Sequence, residues 1–184
     1  VERDGPESVS HRRIAREAGV PPASIAYYFD SIDDLLVAAL TESVDALIVE
    51  VGKLREVIAR DGASWARALA ALLSSMLSEH RARTVAEYEL YLLAARRPAL
   101  RPAARKWIEV ASGYVNDGEG ADPGLLRALF AAIDGLLMQG LLADQPPTAE
   151  ELEPSLHYLL QPVGYLERIG ALPPGLMSEP SQER

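Results

Sequence analysis

The chain has 184 residues and a mass of 19.9 kDa, with 48% hydrophobic and 24% charged residues, a composition that suits one domain or two small ones and excludes wholesale disorder. Its net charge of −9 taken alone disfavours nucleic acid, and the absence of cysteine removes thiol nucleophiles, thiolate metal sites and disulfides and fits a reducing, cytoplasmic setting. No apolar run approaches the ~18 residues of a membrane span, and Val1 to Pro6 lack the basic and apolar regions of a signal peptide.

Alanine and leucine at spacings of three and four predict an all-α chain. Ser10 caps a short helix from His11 to Ala18, which Gly19 stops; Val20-Pro21-Pro22 then starts a second short helix through Phe29. Ser31-Ile32-Asp33-Asp34 has the form of a capping box with Asp replacing the usual Glu. It opens a longer helix carrying Leu35, Leu36, Leu40, Val44 and Leu47, whose end Gly52 is expected to weaken. Ser64 is the next cap, and Trp65 to His80 places Leu69, Leu72, Leu73, Met76 and Leu77 on one stripe. Arg83 to Arg97, ended by Pro98, and Ala99 to Tyr114 follow. After the loop Asn116–Gly120, a helix restarts at Asp122-Pro123 and runs through Leu125, Leu129, Ile133, Leu137 and Leu141. Gln145-Pro146-Pro147 breaks the chain again, Thr148 is a cap, and the last apolar stripe, Leu152 to Leu160, is expected to turn helical only at Pro154. These boundaries divide the chain into an N-terminal head at 1–46, a helical bundle at 47–170 and a C-terminal tail at 171–184.

The segment richest in chemistry is Ser10 to Phe29. Arg12, Arg13 and Arg16 stand there against Glu17 alone, with His11 alongside, so a basic patch sits inside an acidic protein. A helix-turn-helix needs a small residue at the crossing, a residue able to turn left-handed between the helices, and apolar residues beneath both. Ala15, Gly19 and the set Ile14, Ala18, Val20, Ile25 and Tyr28 supply these in order. As bare spacing, the pattern fits a plain helical hairpin equally well.

Ile14-Ala15-Arg16-Glu17-Ala18-Gly19-Val20, then Tyr27-Tyr28-Phe29-Asp30-Ser31 and Asp34-Leu35-Leu36, resembles the DNA-binding region of the tetracycline-repressor (TetR) family of transcriptional regulators. Ala86-Glu87-Tyr88-Glu89-Leu90 through Ala94-Ala95-Arg96-Arg97-Pro98-Ala99-Leu100-Arg101-Pro102 resembles the regulatory domain of an actinobacterial-type branch of that family. The resemblance implies a TetR-like helix-turn-helix head, a C-terminal bundle that binds a ligand and dimerises, and a regulator, most often a repressor, that leaves its operator when a small molecule binds. The chain departs from the family in two ways. Only the end of a longer basic first helix is recognisable, at Val1 to Gly5, so that helix is expected to be missing or truncated; and Ile32 and Ala26 stand where the family commonly has Lys and an aromatic.

On this reading Pro22, Ala23, Ser24 and Tyr27 enter the major groove, and Ser10, His11, Arg12, Arg13 and Tyr28 touch the phosphate backbone. A palindromic operator in double-stranded DNA requires a two-fold homodimer, for which Leu125 to Leu142 and Pro154 to Leu166 offer apolar surface. Trp65, Met76, His80, Glu87, Tyr88, Tyr91, Trp107 and Met138, large apolar bodies with a few polar tips, are the candidate contacts for an unknown small-molecule effector. No cofactor, metal or membrane partner is expected. An enzyme is disfavoured because His11, His80 and His157 lie far apart and no nucleophile elbow or Gly-rich phosphate loop occurs. The alternative is a helical ligand-binding or adaptor protein that has lost DNA binding, against which Arg12, Arg13, Arg16 and Tyr27 argue.

Overall fold

The computed structural model describes residues 5–106, 109 and 123–168, and every regular element among them is helical. They are α1 (His11–Ala18), α2 (Pro22–Tyr28), α3 (Ile32–Asp61), α4 (Trp65–Leu77), α5 (Arg81–Leu93), helical backbone at 101–106 taken as α6, α7 (Pro123–Leu142) and α8 (Ala149–Arg168), with short 3-10 turns at Pro6–Ser8 and Pro98–Leu100. The helix expected over Ala99 to Tyr114 is described at 101–106 and at 109. Apart from residue 109, its remainder, the Asn116–Gly120 loop, the start of the chain at Val1 to Asp4 and the tail at 171–184 lie outside the described residues.

The caps form where the sequence places them. The Ser10 Oγ accepts from the Arg13 N–H at 3.3 Å and the Ser64 Oγ from the Arg67 N–H at 3.2 Å. Two capping boxes close reciprocally: the Ser31 N–H donates to Asp34 Oδ2 at 2.9 Å while the Asp34 N–H donates to Ser31 Oγ at 3.1 Å, and Thr148 and Glu151 exchange the equivalent pair at 2.9 and 3.3 Å.

Several helix boundaries depart from expectation: α4 ends at Leu77 rather than His80, and α5 spans Arg81–Leu93 rather than Arg83 to Arg97, closing in a turn at 94–96 before Pro98 is reached. Gly52 does not weaken the end of α3, which continues to Asp61 and stops at Gly62, where a left-handed φ of 65° allows the Gly62 N–H to bond the Ile58 carbonyl. One interior glycine costs about 1 kcal/mol, too little to break a 30-residue helix already capped at its start. Helix α8 begins at Ala149 rather than Pro154, because the Thr148–Glu151 box nucleates it five residues earlier. Pro154 then removes one exposed backbone bond without ending the helix.

Packing divides the chain into two compact units, Val1–Leu47 with Ala82–Ile108 and Ile48–Arg81 with Glu109–Arg184. In the first, Leu36 and Leu40 of α3 pack with Leu90, Leu93 and Ala94 at the end of α5, with Leu100, and with Ala103 and Ala104 of α6. In the second, α4 lies chiefly on α8, and the buried stripe Leu152, Leu156 and Leu160 recurs every four residues, as one helix face requires. The face that α4 buries is more alanine-rich than its leucine pattern suggests: Ala66, Ala68, Ala70, Leu73 and Leu77 are buried, whereas Leu69, Leu72 and Met76 are half-buried. Where α7 crosses α4, Gly140 lies directly against Leu77, and a Cβ at that position would stand 2.5 Å from a Leu77 methyl carbon.

Candidate DNA-binding interface

Helices α1 and α2 are joined by a turn whose geometry rests on one residue. Gly19 takes φ 66° and ψ 27°, and from that left-handed position the Val20 N–H reaches back to the Ala15 carbonyl at 3.0 Å. Ala15 is buried where the two helices cross, and Ile14, Ile25 and Phe29 are half-buried around it. Ala18, Val20 and Tyr28, expected beneath the helices, are instead exposed: α2 spans only seven residues, and Ile25 with Phe29 already occupies its inner face.

Pro22 and Ala23 are exposed at the start of α2 and Ser24 is half-buried. At its end Tyr27 and Tyr28 are 80% and 76% exposed, with their rings edge to face at 5.1 Å. Two neighbouring aromatic rings left in water on a seven-residue helix are unusual for a monomer surface and suit contact with a partner. Arg12 and Arg16 are exposed on α1. His11 is half-buried and turns Nε2 inward, where it has no hydrogen-bond partner among the described residues. Arg13 is half-buried as well and lines a cleft of about 500 Å3 with Ile14 and Glu17 of α1, Glu42 and Ser43 of α3, and Arg83 and Glu87 of α5. Within that cleft Arg83 Nε donates to Glu87 Oε1 at 2.8 Å.

The residues singled out for an effector are distributed over both units. Trp65, Met76, His80 and Met138 fall in the second, where the first two and Met138 are half-buried and His80 is exposed in the turn after α4. Glu87, Tyr88 and Tyr91 fall in the first; Glu87 faces the cleft and Tyr91 packs against the core cluster of that unit. Trp107 lies outside the described residues. The cleft is not legible in the sequence because its charged residues come from three separate helices, and Ala39, Ala46 and Ala86 between them signal only helix packing.

Residues 2–39 match the family described as bacterial regulatory proteins, tetR family, and residues 60–162 match the tetracyclin repressor-like C-terminal domain. Among solved structures, a member of the TetR family from Streptomyces coelicolor A3, SCO1917, is 38% identical with a TM-score of 0.73 over 86% of this chain and 90% of that one. The multidrug binding protein EbrR is also 38% identical: its imidazole complex has a TM-score of 0.71 over 86% of this chain and 87% of that one, and its ethidium complex a TM-score of 0.67 over 86% and 90%. No curated protein matches the chain. With an N-terminal helix-turn-helix and a C-terminal helical domain each matched in order, and relatives of this identity spanning most of its length, the protein belongs to the TetR family of bacterial transcription regulators.

Proposed function

We propose that the protein is a repressor that binds a palindromic operator as a homodimer and leaves it when a small molecule occupies the C-terminal domain. The exposed Tyr27–Tyr28 pair carries this reading, because the Gly19 turn fixes the helix that presents it. Pro22, Ala23, Ser24 and Tyr27 read base edges, while Ser10, Arg12, Arg13, Tyr28 and the His11 backbone meet phosphates. Leu142 of α7 and Tyr158 of α8, both largely exposed, support a pairing surface on those helices.

For the effector, Trp65, Met76 and Met138 are the contacts we favour, since they are half-buried within one unit. EbrR has been crystallised with ethidium, proflavin and malachite green, and the net charge of −9 favours a cation, so aromatic cations are the first class to try. The ligand acts only through its differential affinity for the free and DNA-bound states. Gel shifts on a duplex from the protein's own promoter, with and without proflavin, test the proposal: a shifted band that proflavin disperses supports it. A band at no protein concentration removes the operator, and a band that persists with any ligand removes the release mechanism.

A further inference from the structure

The stretch from Ala94 to Pro102 has no part in the interface described above, yet it is bonded on every side. The Leu93 carbonyl accepts from the Arg96 and Arg97 N–H groups, both at 2.9 Å. The Arg101 guanidinium folds back over the end of α5, donating to the Ala94 carbonyl at 3.3 Å and the Ala95 carbonyl at 3.2 Å. Pro98 and Pro102 stiffen the corner, and Leu100 is fully buried with Leu36 and Leu40 of α3.

From this braced corner Arg97 Nη1 donates to Asp33 Oδ1 at 2.9 Å. Asp33 sits in the first turn of α3, inside the Ser31–Asp34 capping box, and only Phe29, Asp30 and Ser31 separate that turn from the end of α2 at Tyr28. A guanidinium beside a helix N-terminus opposes the helix dipole, so the approach of Arg97 to this turn depends on the Asp33 carboxylate.

We propose that Arg97 and Asp33 form a positioning latch that holds the α2–α3 turn, and with it the tyrosine pair, in the orientation that binds DNA. The inference rests on the DNA-binding reading above. The two side chains are 30% and 38% exposed, and pairs of that exposure add little to global stability, so the latch orients the turn without holding the fold together.

The test uses the full chain as wild type, Asp33→Asn, Arg97→Gln and Arg97→Lys, on a duplex from its own promoter. Electrostatics alone would make Asp33→Asn bind more tightly, since it removes a negative charge near the phosphates. The latch predicts the opposite sign: Asp33→Asn and Arg97→Gln each bind about two- to five-fold more weakly, Arg97→Lys keeps most of the affinity, and the salt slope is unchanged because no phosphate contact is lost. In the free protein, amide exchange at residues 29–34 quickens in Asp33→Asn and Arg97→Gln with the melting temperature unaltered. Equal or tighter binding by Asp33→Asn overturns the latch, as does a salt slope reduced by about one in Arg97→Gln, which would make Arg97 a phosphate contact. If no protein binds DNA, the DNA reading falls, and the exchange measurement still decides the latch: unaltered exchange refutes it.

Discussion

Gly52 and Gly140 are both interior helix positions, yet alanine should have opposite effects at the two. At Gly52 an added Cβ meets nothing within 4 Å, so Gly52→Ala only restricts the unfolded chain and improves helix propensity, stabilising by about 0.5–1 kcal/mol. At Gly140 the same methyl would lie 2.5 and 3.0 Å from the two Leu77 methyl carbons and 3.3 Å from Leu77 Cγ. Leu77 is fully buried, so the methyl is admitted only if its side chain changes rotamer within the core or α4 and α7 separate. Overpacking of this kind costs about 1–3 kcal/mol, which exceeds the propensity gain of ~1 kcal/mol and leaves a net loss of up to about 2 kcal/mol. For a chain of this length each kcal/mol moves the melting temperature by about 2–4 °C, so the two variants should melt several degrees apart on either side of wild type. Urea denaturation with a shared slope gives the same ordering as free energies. If Gly140→Ala stabilises the protein as much as Gly52→Ala does, the close crossing of α4 and α7 is wrong.

Tyr27→Ala should weaken operator binding by about tenfold, or ~1–2 kcal/mol, while sedimentation shows the same oligomer as wild type; unchanged affinity takes Tyr27 out of the contact surface. Asp34→Ala removes one side of the capping box at the start of α3 and should cost about 1 kcal/mol in urea denaturation, and an unaltered midpoint would show that the box contributes nothing. Leu156→Ala empties the centre of the α4–α8 contact and should cost about 2–5 kcal/mol; a loss below ~1 kcal/mol would place Leu156 outside the core.

The features legible in the sequence are those whose cause is local. A glycine that must turn left-handed at position 19, a serine three residues before a carboxylate at position 31 and a serine cap at position 64 each carry their reason within one turn of chain. The misplaced features depend on partners distant in sequence. Gly52 reads as a weak point near the end of α3 because propensity is local to one residue, whereas the helix is sustained by its whole length. The alanine face of α4 is selected by the closeness of α8, which spacing cannot express. Glu87, a candidate effector contact, turns its side chain toward Arg83 and the cleft beside α1 and α3, a placement that spacing along α5 does not express. Tyr28, which the sequence allows either to pack or to meet a phosphate, is exposed and does not pack beneath the helices.

Footprinting of the purified full chain on its own promoter tests the central claim most directly. The account predicts two protected half-sites related by two-fold symmetry, about one helical turn or a multiple of it apart, with occupancy falling steeply as salt rises and lost first in Tyr27→Ala. Protection confined to a single half-site, or none at any salt concentration, would contradict it.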